Sequence, residues 1–324
     1  MAVDLARIKL AQQRLQGLVN LTPIIESEEL NQRYGGRILF KAECLQRTGS
    51  FKIRGASNKL LSLSAENLRN GVVAYSSGNH AQGVAAAAQA MGVPATIVIP
   101  RDAPALKIAN TRAFGAEVVL YERNSESREQ IAADIASQKS AAIVPPYDDE
   151  DVIAGQGTVG LEILDQLGFS PDAVLCPCGG GGLVSGLATA LKGSDDSIDV
   201  FAVEPENFDD TCRSLELGQR VANAAGVSSI CDAIVTPTPG EITFEINRRL
   251  LSGGIKVSDD MVRQAVIEAY TRLKLVVEPG AAVGLAALCG GQYQLQGKTI
   301  VIVLSGGNMD IDTLIQIRQS SPDA

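Results

Sequence analysis

A chain of 324 residues, 45% of them hydrophobic and 20% charged, has room for two ordinary domains and enough apolar material to fold without disulfide staples. Lys plus Arg number 28 against 37 Asp plus Glu, and the formal charge of −9 argues against nucleic acid or an anionic membrane surface as a partner. His80 is the single histidine and there is no tryptophan, so histidine-rich metal centres are excluded and a Ser-His-Asp reading is strained.

The N-terminal stretch MAVDLARIKLAQQRLQ is charged and amphipathic, with apolar Val3, Leu5, Ile8 and Leu15, and lacks the apolar core of an export signal. No apolar run reaches about 18 residues, so no membrane span is expected. The six cysteines (Cys44, Cys176, Cys178, Cys212, Cys231, Cys289) form no CxxC pair and read as reduced, mostly buried thiols of a cytoplasmic protein. From residue 37 onward, β-rich runs alternate with helical patterns. ILF at 38–40 precedes a helical stretch from Arg54 to about Leu63, and VVAY at 72–75 precedes an Ala-rich segment through Met91. ATIVIP at 95–100 leads to a segment around 104–113, AEVVLY at 116–121 to 125–138, and AAIVPP at 141–146 to a long helix near 153–167. DAVLCP at 172–177, VFAVEP at 200–205 and TIVIVLS at 299–305 follow. This alternation predicts an α/β fold of parallel sheet built from right-handed βαβ units, with ligands beyond the carboxyl ends of the strands.

Four motifs fall at those ends. QRTGSFKIRG, residues 46–55, puts Lys52 at a helix start beside Phe51 and Arg54. A helix N-terminus and a neighbouring cation lower an amine's pKa, as a Schiff-base lysine requires, although an isolated lysine is ordinarily a solvated one. The strand from Val72 ends in Ser76-Ser77-Gly78-Asn79-His80, which suits either a carboxylate or phosphate cradle or a simple helix cap. After the strand from Val174, the run Gly179 to Gly182 lets backbone amides wrap an anion closely, and no lysine follows in the P-loop register. The strand from Thr299 ends on Ser305-Gly306-Gly307-Asn308, where the serine offers one neutral hydrogen bond above the sheet or caps a helix before Met309.

SFKIRG, SSGNH and GGGG in this order strongly resemble the fold-type II family of pyridoxal phosphate enzymes, and within it the serine racemase and serine/threonine ammonia-lyase group. The resemblance runs from LTPII near Thr22 to SGGN and includes VIAGQGTVGLEIL from Val152 and KLVVEPGAAVGLAAL from Lys274, which puts Glu278 near the site. It implies a parallel-sheet large domain (residues 1–70 and 149–324) and a smaller inserted, mobile α/β domain (71–148). On this resemblance Lys52 carries pyridoxal 5′-phosphate covalently and, once released, takes the Cα proton. Phe51 packs on the pyridine ring, Asn79 bonds the 3′-oxygen, Gly179, Gly180, Gly181 and Gly182 hold the phosphate, and Ser305 faces the pyridine nitrogen. Ser76, Ser77, Gly78, Asn79 and His80 bind the α-carboxylate of an amino-acid substrate. A neutral Ser305 leaves the ring nitrogen largely unprotonated, which suits prompt loss of a β-hydroxyl over transamination. The expected activity is therefore elimination from serine- or threonine-type amino acids to a 2-oxo acid and ammonia. The alternatives are serine racemization, 3-hydroxyaspartate dehydration, and a non-catalytic cofactor or amino-acid sensor.

Ser77 matches the racemase residue opposite the lysine, where reprotonation would invert Cα. Arg128 matches a racemase-like arginine able to reach a polar or anionic side chain, or else pairs with glutamates on a helix surface. Two departures favour a dehydratase: Tyr147 stands where racemases carry asparagine, and Cys231-Asp232-Ala233 replaces the family's ADG. Glu204 and Asp210, six apart with Phe208 between them, read as an acidic loop or as two carboxylates and a backbone carbonyl around Mg2+ or Ca2+; the resemblance implies the metal. It also implies a homodimer, and because the chain stops soon after SGGN, no isoleucine-sensing regulatory domain is expected.

Overall fold

The apolar runs become strands of two sheets in the computed structural model, which describes residues 3–76, 78–103, 105–123 and 125–321. In chain order the strands are β1 (Ile24–Glu26), β2 (Arg37–Lys41), β3 (Val72–Tyr75), β4 (Ala95–Pro100), β5 (Glu117–Tyr121), β6 (Ala142–Ile143), β7 (Ala173–Pro177), β8 (Asp199–Pro205), β9 (Gly253–Val257) and β10 (Thr299–Val303). The larger sheet has the order β1-β2-β10-β7-β8-β9, parallel except for the edge pair β1 and β2. The smaller sheet, β5-β4-β3-β6, is parallel throughout and takes all its strands from residues 72–143, inside the chain that builds the larger one.

Period-two side-chain direction makes the central strands two-faced. Leu175, Val203, Ile300 and Ile302 pack against the Asp259–Glu268 and Pro279–Cys289 helices, while Val174, Ala202, Val301 and Val303 face the Glu150–Leu167 and Gly182–Ser194 helices. Those last two helices cross with almost no side chain between them. A Cβ on Gly186 would lie 2.3 Å from the Ile153 carbonyl oxygen and 2.6 Å from the Gly157 nitrogen. That close crossing fixes where the Gly182–Ser194 helix begins.

Several boundaries differ from the sequence reading. The run at 141–146 yields only the two residues of β6, because Pro145 and Pro146 have no N–H to extend the ladder. The edge strands β1 and β9 were not anticipated; β9, GGIKV, is glycine-rich and alternates in exposure only weakly. The helix expected from Arg54 starts at Lys52, with Phe51 as its cap residue. The long helix expected near 153 starts at Glu150, where the Asp149 carboxylate accepts the Asp151 and Val152 N–H groups. Among the described residues no helix is long and apolar enough to cross a membrane.

Candidate active site

Three strand ends converge on one cleft. The loop after β10 carries Ser305, the loop after β7 carries Gly179 to Gly182, and the loop after β3 carries Ser76. Ser50 bridges Gly306, and the Phe51 N–H donates to the Ser305 carbonyl at 3.1 Å, so the SFK segment is clamped against the β10 loop. Phe51, Lys52, Asn79, the glycine run, Arg128 and Ser305 thereby line the same cleft. Residues separated by some 250 positions in sequence meet because β2 and β10 are neighbours in the sheet.

Lys52 opens the Lys52–Ser62 helix; its ammonium donates to the Pro146 carbonyl at 2.7 Å and stands 5.2 Å from the Phe51 ring centroid. Burial lowers its pKa to about 8. The sequence reading credited Arg54 with part of this shift, and that expectation is corrected by the geometry. The Arg54 guanidinium points into the interior, where it takes both oxygens of Glu43 (2.8 Å each) and both of Glu162 (2.6 and 2.8 Å). Lys41 adds a second cation, donating to Glu162 at 2.7 Å. These two cations and two anions cancel, so the lysine amine is tuned by desolvation alone.

In the glycine run, Gly181 adopts φ +93°, and a Cβ on Gly180 would fall 2.4 Å from the Tyr147 ring. Gly182 begins the Gly182–Ser194 helix, leaving its first N–H groups directed at the cleft. Ser305 is buried, and the next helix starts only at Ile311 behind an Asp310 cap, so Ser305 is not the helix cap that was the alternative reading.

Asn79 starts the Asn79–Met91 helix with both ends of its amide engaged. Nδ2 donates to Glu278 Oε1 at 2.5 Å, and Oδ1 accepts from Asn308 Nδ2 at 2.9 Å. Glu278 is buried, and burial with Asp232 nearby pushes its carboxyl up to about 7 against the opposing pull of Lys107. The Lys107 ammonium donates to Asp232 at 2.9 Å and stands 3.6 Å from Glu278 Oε2. Sequence reading missed Lys107; its only signal is a lysine on the buried face of the Ala105–Ala113 helix together with Thr111.

His80 lines the cleft as a neutral imidazole. Burial, with Lys52 nearby, lowers it to about 3, and its Nε2 bonds the Val144 carbonyl at 2.9 Å. The Gly78 N–H donates to Ser76 Oγ at 3.1 Å. Ser77, the second predicted catalytic residue, lies outside the described residues. Arg128 opens the Arg128–Lys139 helix, with its guanidinium 5.6 Å from the Tyr75 ring centroid and its Nε donating to Glu129 at 2.7 Å.

The predicted cation ligands stand apart from the cleft. Glu204, fully buried at the end of β8, accepts the Thr211 and Cys212 N–H groups at 3.1 and 2.8 Å. Asp210 accepts from Asn223 Nδ2 at 2.6 Å, and its buried Oδ2 has no hydrogen-bond partner. Phe208 ends the short 3-10 turn Glu206–Phe208 between them. Burial raises both carboxyls, helped by repulsion from Asp210 at Glu204 and from Asp209 at Asp210. Among the described residues no group of three or more His, Cys, Asp or Glu side chains is arranged to hold a metal.

The sequence model of pyridoxal-phosphate dependent enzymes matches residues 15–306. The chain belongs to that family. This pyridoxal-phosphate dependent enzyme is similar to an L-threo-3-hydroxyaspartate ammonia-lyase of Saccharomyces cerevisiae, 43% identical over 96% of each chain. It is 42% identical to an L-threonine ammonia-lyase of Thermotoga maritima, over 97% of this chain and 78% of the relative. The structure of maize serine racemase superposes with a TM-score of 0.93 at 37% identity, covering 100% of this chain and 99% of that one. The α/β architecture with parallel sheets is therefore that of solved fold-type II enzymes.

Proposed function

We propose that the protein is an ammonia-lyase that removes the β-hydroxyl of a small amino acid, releasing a 2-oxo acid and ammonia. The observation that carries the reading is the meeting of Lys52, the glycine run and a neutral Ser305 in one cleft. The cleft residues fit pyridoxal phosphate: Gly179 to Gly182 line the cleft with bare backbone, held so close to Tyr147 and Thr243 that a Cβ on Gly180 or Gly181 would lie 2.4 or 2.9 Å from them, and burial lowers the Lys52 amine to about 8. When bound, the cofactor supplies the electron sink that removal of a Cα proton requires. Lys52 anchors it and, once released, takes that proton on Nζ. The N–H groups of Gly179 to Gly182 would hold the phosphate, Ser305 Oγ would meet the ring nitrogen, Phe51 would pack on the ring, and Asn79 Nδ2 would offer its second hydrogen to the 3′-oxygen. The segment Ser76 to His80 binds the α-carboxylate. A small mobile domain, residues 71–148, closes over the substrate and excludes water.

Arg128 on the cleft wall supports an acidic side chain on the substrate, as in 3-hydroxyaspartate, beside serine and threonine. The orphaned Asp210 Oδ2 next to buried Glu204 supports a divalent cation, completed by the Phe208 carbonyl and water, bracing the loop after β8. Exposed Leu45 and Val276, whose neighbourhoods meet at Gly307, support a homodimer, to be read by light scattering. The six free cysteines support a cytoplasmic location.

The deciding experiment offers L-serine, L-threonine and L-threo-3-hydroxyaspartate to the cofactor-loaded protein and follows keto acid, ammonia and the recovered enantiomer together. Release of keto acid and ammonia, abolished with the yellow colour in Lys52→Ala, is expected. Cofactor binding without product from any substrate refutes the lyase. Accumulation of the opposite enantiomer in place of keto acid makes the protein a racemase.

A further inference from the structure

We propose that Lys107 and Glu278 are positioning residues that fix the direction of the Asn79 amide; the inference rests on the cofactor-binding reading above. An ionised carboxylate only accepts hydrogen bonds. Glu278 in that state admits only the NH2 end of Asn79, which donates to it at 2.5 Å and leaves Asn79 Oδ1 to accept from Asn308. A protonated Glu278 would have a hydroxyl to donate, and the opposite amide orientation would then become equally satisfied on that side. Turning the amide would set its NH2 against the Asn308 NH2, and the donor would no longer face the ring-oxygen side of the cleft.

Keeping Glu278 ionised is therefore a positional task, and Lys107 is the group that performs it. Glu278 is 1% exposed, its Oε2 makes no hydrogen bond, and the Lys107 ammonium 3.6 Å away is the cation that favours its charge. Asp232 faces the same ammonium and works against Glu278, and the Cys44 and Cys231 thiols near the carboxylate stay neutral because burial pushes both up to about 12. Gly306 admits the carboxylate, since a Cβ there would lie 2.1 Å from Oε1. Lys107 and Asn79 belong to helices flanking the smaller sheet, whereas Asp232, Glu278 and Asn308 belong to segments around the larger one. The cluster thus couples the approach of the two units to the amide's orientation.

The test compares wild type, Lys107→Met, Glu278→Gln and the double variant. Melting of the cofactor-free proteins is followed from about pH 5 to about pH 9, and the pH midpoint of the visible band is followed in the cofactor-bound proteins. Lys107→Met is expected to show a melting deficit about twice as large at the alkaline end as at the acid end, where Glu278 keeps its proton. Glu278→Gln in the same background should erase that pH dependence, and Lys107→Arg should restore the wild-type band midpoint. A deficit equal at both ends, or persisting in the double variant, or an unmoved band midpoint in Lys107→Met, overturns the proposal. Should Lys107→Met not fold, Glu278→Gln alone must make the change in melting temperature around pH 7 smaller than in wild type for the proposal to stand. If wild type takes up no cofactor band, the functional reading fails while the melting series still decides the role of Lys107.

Discussion

Replacing Arg54 with methionine tests how the helix that begins at Lys52 is anchored in the interior. The wild-type quartet is neutral: Arg54 and Lys41 against Glu43 and Glu162, with Arg54, Lys41 and Glu43 side chains at 0% exposure. Arg54→Met keeps the length and apolar stem but leaves two buried carboxylates facing one cation. Removing one partner of a buried, hydrogen-bonded pair costs about 3–5 kcal/mol, because the remaining charge stays desolvated. With a urea slope of about 3 kcal/mol/M, the unfolding midpoint should fall by roughly 1–1.7 M. Urea unfolding of the cofactor-free protein is the assay, so that cofactor binding adds nothing to the apparent stability. The double variant Arg54→Met/Glu43→Gln restores neutrality and should recover part of the loss. Acidification should also narrow the gap to wild type, since the carboxyl left unpaired in the variant is raised and takes up a proton. A loss under about 1 kcal/mol, or a double variant no better than the single one, would show that the quartet does not carry the energy assigned to it.

Gly180→Ala places a Cβ 2.4 Å from the Tyr147 ring and, by forcing the ring or the loop to shift, should weaken cofactor binding at least about tenfold in a titration of the visible band and cost about 1–3 kcal/mol of stability; undiminished binding contradicts the role of the glycine run. Arg128→Gln should lower kcat/KM for 3-hydroxyaspartate about tenfold or more while changing that for serine little, and an equal loss on both would assign Arg128 to the fold instead. The raised Glu204 and Asp210 carboxyls bind protons more firmly folded than unfolded. Their part of stability is therefore lost as pH rises from the ordinary carboxyl range through their raised values. Magnesium should consequently raise the melting temperature more at about pH 8.5 than at about pH 5.5, and Glu204→Gln should abolish the effect. An equal rise at both, or one surviving in the variant, sinks the cation site.

Much of the fold was legible because strands buried on both faces leave unbroken apolar runs. VVAY, ATIVIP, DAVLCP and TIVIVLS all became strands within a residue or two of the expected bounds. β1 is three residues long and β9 is glycine-rich, so neither leaves such a run and both escaped notice, whereas the edge strand β5 keeps the apolar VVLY. At the site, the glycine run and SFK could be read because backbone conformation and a nucleophile demand particular residue types. Arg54 could not be placed, since proximity in sequence says nothing about which side of a helix turn a guanidinium leaves from. Lys107 and Asp232 find each other only through tertiary packing, 125 positions apart, and neither residue type is diagnostic alone.

The glycine-to-glycine crossing at Gly157 and Gly186 has a bearing on how such an enzyme diversifies. It ties the start of the Gly182–Ser194 helix, and with it the glycine run, to the Glu150–Leu167 helix behind the larger sheet, while Arg128, Asn79 and His80 ride on helices of the smaller one. On the proposed reading the phosphate grip and the side-chain contact at Arg128 thus belong to separate mechanical parts, with Asn79 reaching from the smaller one to the cofactor ring. On that reading Arg128 and its neighbours can change toward a new side chain without disturbing the phosphate grip, so one scaffold can serve several amino acids at little cost to its own integrity.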